Sequence, residues 1–100
     1  MNVQVTFRGM SSTAAIAGHV EERLDHALRH LQSPSRARAV LAPTQDGGFR
    51  ADLEVDAGSL HLRAHAEDGD LYEAISHAAA KIARQLDDQH AKRTQRRAQA

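Results

Sequence analysis

Seven histidines, thirteen lysines and arginines and thirteen carboxylates supply the reactive side chains of this 100-residue chain, and there is no cysteine among them. Thiolate metal sites, disulfides and a cysteine nucleophile are therefore excluded. His26 and His30 stand at i,i+4, the spacing that lets two imidazoles share an ion on a helix, but no third ligand follows at a completing distance. His61 and His65 share one strand face with Arg63 between them, a cation that repels another. Asp52, Glu54 and Asp56 alternate along a strand, as the wet side of a sheet does. Ser11, Ser12, Ser33, Ser35, Ser59 and Ser76 lack a nucleophile-elbow context, and no glycine-rich loop follows a strand and opens a helix. The chain reads as a binding protein and not as an enzyme. No metal, cofactor or small-molecule substrate is expected.

The cations show a spacing of their own. His19, Arg23, His26 and His30 fall at i, i+4, i+7 and i+11, and His77, Lys81, Arg84, Asp88 and Lys92 repeat the design. Two such helices side by side would present two largely basic ridges to the paired phosphate rows of folded RNA. With only Phe7, Phe49 and Tyr72 as aromatics, the base-stacking mode of single-strand binders is disfavoured. The three histidines of the first stripe read first as exposed side chains without functional consequence. The alternative is a stripe that gains charge in acid and tightens its hold on phosphate. Net charge is zero, yet residues 1–42 carry +2, residues 43–73 carry −6 and residues 74–100 carry +4. The acidic middle supports an alternative reading, a protein-interaction module that uses Asp52, Glu54 and Asp56 and has no RNA partner.

Simple periodicities must position these groups. Val3, Val5 and Phe7 alternate with polar residues as a half-buried strand, and Ser11, Ser12 and Thr13 offer caps for a helix. Ile16, Val20, Leu24, Ala27, Leu28 and Leu31 mark that helix, which stops before Ser33-Pro34. Strands follow over 37–42, 50–55 and 60–66, separated by Asp46-Gly47-Gly48 and Ala57-Gly58-Ser59. Asp70 caps a second helix with Leu71, Ile75, Ala78, Ala79, Ile82 and Leu86 inward. The expected fold is α+β: a β-α-β-β-β-α two-layer sandwich, four mixed strands with both helices on one face. Leu24, Leu28, Leu31, Leu53, Leu62, Leu71, Ile75, Ile82 and Leu86 should form most of its core. Residues 1–92 form one domain and 93–100 a polar basic tail, with 87–100 a solvated helical extension that frays into it. No apolar run approaches the roughly 18 residues of a membrane span, and the N-terminus lacks a signal pattern, so the expected compartment is the cytoplasm.

Several stretches resemble the ribosome hibernation-promoting factor family, which includes the ribosome-associated inhibitor proteins. They are the opening strand 3–9 (VQVTFRG), the helix core 19–25 (HVEERLD), the strand 50–55 (RADLEV), and above all 64–75 (AHAEDGDLYEAI) followed by 81–86 (KIARQL). The resemblance spans residues 1–92 and is to the family's short form, without the C-terminal dimerisation domain of its long members. Ser76 stands where many members carry Asp. The resemblance implies a double-stranded-RNA-binding-domain-like fold. It also implies binding to the 16S rRNA of the small ribosomal subunit, in the decoding channel, blocking mRNA and tRNA during stationary-phase or stress hibernation. The rRNA-contacting residues expected are Arg23, Lys81 and Arg84 from family position and the basic stripes, Lys92 and Arg93 on tail charge, and Arg8 and Arg29 as weaker members.

Overall fold

Hydrophobic alternation and helical periodicity resolve into six elements in the computed structural model, which describes residues 2–31 and 36–99, with side chains through residue 89. These are β1 (Asn2–Phe7), α1 (Ala14–Ala27), β2 (Arg36–Pro43), β3 (Phe49–Ala57), β4 (Leu60–Asp68) and α2 (Leu71–Gln99). The sheet order is β1-β2-β3-β4, with β1 parallel to β2 and the other pairs antiparallel. A parallel pair needs a crossover, and α1 supplies it by running back along the sheet. The fold is the expected α+β sandwich.

Each strand sends alternate residues inward. Ala37, Ala39, Leu41, Ala51, Leu53, Val55, Leu62, Ala64 and Ala66 meet Ile16, Val20 and Leu24 of α1 and Leu71, Ile75, Ala78, Ile82 and Leu86 of α2. Small alanines on the strands let the helices sit close to the sheet. Of the expected core residues only Leu31 is half-buried, and β2 contributes more than expected through Ala37, Ala39 and Leu41. No charged or polar residue is buried among the described residues.

The helices begin at caps legible in the sequence. The Thr13 hydroxyl accepts from the Ile16 N–H at 3.1 Å, and the Asp70 carboxylate accepts from the Tyr72 N–H at 2.8 Å. Their ends differ from expectation. α1 stops at Ala27, four residues short of the last apolar position, because Leu28 leaves helical geometry (φ −108°, ψ 16°) while its side chain stays in the core. The carbonyl of His26 at that exit accepts from both the Arg29 N–H at 3.4 Å and the Arg29 guanidinium at 3.1 Å. The linker 32–35, with Ser33-Pro34, lies outside the described residues. α2 runs on as the expected helical extension, and its backbone stays helical to Gln99, past the point where a polar tail is expected to fray.

The two sheet edges are treated differently. Along β4, Gln85 donates to the Arg63 carbonyl at 2.8 Å and accepts from the Arg63 N–H at 3.3 Å, while Lys81 donates to the His65 carbonyl at 2.8 Å. These side chains occupy backbone groups that another strand would otherwise pair with. No side chain among the described residues does the same for β1. At the opposite end of the sheet, the β2–β3 loop closes tightly on the end of β4. A Cβ at Gly48 would lie 2.9 Å from the Asp68 carbonyl oxygen, which only glycine avoids.

Candidate nucleic-acid interface

The helices run in the same direction. The start of α1 meets the start of α2, where the ring of His19 packs edge-on against Tyr72, with centroids 4.9 Å apart. The Nε2 of His19 lies 3.3 Å from the Tyr72 carbonyl oxygen and 3.2 Å from the Ser76 Oγ. A carbonyl only accepts, so this Nε2 carries the proton. His19 thus joins the two helices through this ring nitrogen, a contact that its place in the basic stripe does not announce. Ser76, the departure from the family pattern, is its partner.

Further along, α1 and α2 part into a groove of about 600 Å³. One wall carries Arg23, His26, Arg29 and His30 from α1 and the turn after it. The other is Ala79, Ala80 and Ala83, with Asp87 the single carboxylate in the lining. Arg23 is half-buried, and its Nε is the one buried side-chain polar atom without a hydrogen-bond partner among the described residues. Leaving such a donor unpaired costs about 1–3 kcal/mol. Arg29 is exposed and folds back so that its guanidinium donates to both the carbonyl and the Nε2 of His26, at 3.1 and 3.3 Å. In that contact the Nε2 is an acceptor, so the His26 proton sits on Nδ1.

The remaining expected cations are dispersed. Lys81 and Arg84 lie on the flank of α2 away from α1; Lys81 is engaged at the β4 edge, although its two remaining N–H groups face solvent. Arg84 is exposed with no ion pair among the described residues. His77, of the same stripe, lies between Glu73 (3.6 Å) and Asp68 (3.9 Å). Arg8 follows β1, its N–H donating to the Leu41 carbonyl at 2.9 Å. That places Arg8 where α1 begins, at the other end of the sheet from the groove. Lys92 and Arg93 belong to the α2 backbone, and their side chains lie outside the described residues. The structure therefore gathers Arg23 and Arg29 into one place and leaves Arg8, Lys81 and Arg84 apart.

The acidic strand face proves to be a balanced one. Register sets Arg38 of β2 opposite Glu54 of β3, and the two form an ion pair. Asp52 has Arg50 and Arg63 within 3.5 Å, and His61 of β4 reaches Asp56 at hydrogen-bonding distance and Glu54 at 3.9 Å. Asp52, Glu54 and Asp56 are thus paired in place and do not form the open acidic patch that a protein-interaction module would use. One carboxyl has a resolved shift. The Thr44 hydroxyl, and then the Gly48 N–H, hold Asp46 below the ordinary carboxylate value. Among the described residues no group of three or more His, Asp or Glu could hold a metal ion, and no helix is long and apolar enough to cross a membrane.

This fold and this cationic wall occur in a chain whose residues 3–94 match the model of the sigma 54 modulation protein / S30EA ribosomal protein family. The chain belongs to that family. Among solved structures it is similar to the Thermus thermophilus Protein Y N-terminal domain, at 31% identity and TM-score 0.79, covering 86% of this chain and 96% of that one. It is also similar in fold to a ribosomal subunit interface protein from Coxiella burnetii, at 22% identity and TM-score 0.74, covering 91% and 99%. No curated protein sequence matches it significantly. For this S30EA-family chain, sequence reasoning missed the His19–Ser76–Tyr72 junction and the sealing of β4 by Lys81 and Gln85. The Lys-x-x-x-Gln spacing was in view, but only the placement of α2 over the strand edge assigns it that structural contact.

Proposed function

We propose that this member of a ribosome-associated family is a non-enzymatic translation inhibitor that sits in the decoding channel of the small subunit and excludes mRNA and tRNA during hibernation. Arg23 and Arg29 grip 16S rRNA phosphates from the α1 wall, and Arg84, Lys81, Lys92 and Arg93 extend the contact along α2. Arg8 contributes at the far end. The body of the sandwich is the plug, and no bond is made or broken. The working compartment is the cytoplasm, where ribosomes are.

One observation carries this reading. Arg23 and Arg29 line one wall of the groove and form no ion pair among the described residues, whereas Arg38, Arg50 and Arg63 of the sheet each have a carboxylate partner. Unpaired arginines beside each other repel, and a polyanion relieves that repulsion by releasing its own counterions.

The test is sedimentation with purified small subunits over a salt series, combined with tRNA binding to mRNA-programmed subunits. The expected result is co-sedimentation that weakens steeply with salt and a loss of tRNA binding at saturating protein. Co-sedimentation with undiminished tRNA binding would place the protein elsewhere on the subunit.

A further inference from the structure

Phosphate ridges need no cavity between them, yet α1 and α2 enclose one. Its volume of about 600 Å³ falls within the roughly 300–1,000 Å³ range of sites that hold a small organic ligand. Its walls differ in kind. The α1 side carries the cations Arg23 and Arg29 beside the rings of His26 and His30, and the α2 side is apolar and low, because Ala79, Ala80 and Ala83 share the helix face that lines it. Ala80 is exposed and Ala83 half-buried, so longer side chains would fit there and fill the space. A nucleotide has the same two-sided character, an anionic phosphate on an otherwise flat and largely apolar body. RNA strands present such units singly where a base is unstacked from its neighbours.

We infer that this groove seats one unstacked nucleotide of the RNA partner, its phosphate on Arg23 and Arg29 and its base or ribose against the alanine wall. The inference rests on the ribosomal RNA reading above and adds the unit that is recognised. Arg23 is suited to the role because it lines the groove with a buried Nε donor that has no hydrogen-bond partner among the described residues. Arg29 is held in place by the His26 carbonyl and ring. Asp87, on the α2 side, repels a second phosphate, so the strand enters and leaves along α1.

The experiment has two arms, run on the full chain. In the first, adenosine 5′-monophosphate, adenosine and inorganic phosphate are titrated while backbone amide NMR shifts are followed. The nucleotide should move the amides of Ala27, Ala79, Ala80 and Ala83 at millimolar concentration, with adenosine and phosphate at least tenfold weaker. Shifts elsewhere, or none at the groove, overturn the inference. In the second arm, Ala80→Leu and Ala83→Leu are compared with wild type for small-subunit affinity. Each should lose at least tenfold, with Ala80→Leu, at an exposed position, keeping the wild-type melting temperature. Wild-type affinity in the Ala80→Leu variant overturns the inference even if Ala83→Leu fails to fold. If wild-type protein does not sediment with subunits at all, the ribosomal reading fails. A groove that still binds the mononucleotide would then be a site for free nucleotide and not for RNA.

Discussion

The groove between the helices and the outer face of the sheet are built from the same residue types and behave as opposites. On the sheet, antiparallel register places Arg38 opposite Glu54, and Arg63 of β4 reaches diagonally to Asp52 of β3, so these charges meet counter-charges in place. At the groove, α1 and the turn after it bring Arg23 and Arg29 to one wall, with no carboxylate in the lining except Asp87 across the gap. A surface that satisfies itself has little to gain from a charged partner. One that leaves cations together gains by binding an anion.

The most damaging way to disturb both regions is through the core they share. Leu24 and Ile82 are fully buried under the two helices. Truncating either to Ala should cost about 2–5 kcal/mol, read from the shift in denaturant midpoint, and should loosen the groove along with everything else. A near-neutral shift at both would show that the helices are not held by these contacts.

Charge substitutions separate the two regions directly. Arg23→Glu with Arg29→Glu should weaken small-subunit binding roughly a hundredfold and lower the log–log salt slope by about 1.5, since two phosphate contacts are lost. Asp52→Asn with Glu54→Gln, on the sheet, should leave both quantities unchanged. Charge reversal of Lys81 and Arg84 falls between, because Lys81 is partly spent on the β4 backbone. Equal effects from all three pairs would abolish the distinction drawn here.

Smaller effects report on structure alone. Gln85→Ala removes both hydrogen bonds to Arg63 and should lower stability by about 1 kcal/mol in urea unfolding, with subunit affinity intact. Least of all is the Asp46 turn. Because hydrogen bonds hold its folded pKa below the ordinary 3.8, the contribution of this carboxylate is complete above that value. It is lost as pH falls through the lowered folded value. The Gly48 amide shift should follow that titration at the acid limit, and Asp46→Asn should flatten it.

The sequence showed the element order and most of the core, because strand alternation and helical spacing follow from one-sided burial. Thr13 and Asp70 announced their helix starts because capping is local chemistry. The end of α1 was hidden because Leu28 and Leu31 continue the apolar period after the backbone has left the helix, with no glycine to mark the exit. His19 was hidden for a different reason. Its spacing matches the basic stripe, but its partners Tyr72 and Ser76 lie 53 and 57 residues away. Likewise the net −6 of the middle segment suggested an open acidic face, and only cross-strand register shows each of Asp52, Glu54 and Asp56 with a basic partner. Local signals survive in one dimension; pairings across the fold do not.

The unequal sheet edges set a limit on association. With Arg63 and His65 of β4 engaged by Gln85 and Lys81, β1 is the edge without such cover among the described residues, which gives strand pairing between copies a valence of one. A body of valence one can close a two-fold pair but cannot propagate an open ribbon of strands. Even at high local concentration, as on crowded ribosomes, strand-to-strand growth of this domain ends at two.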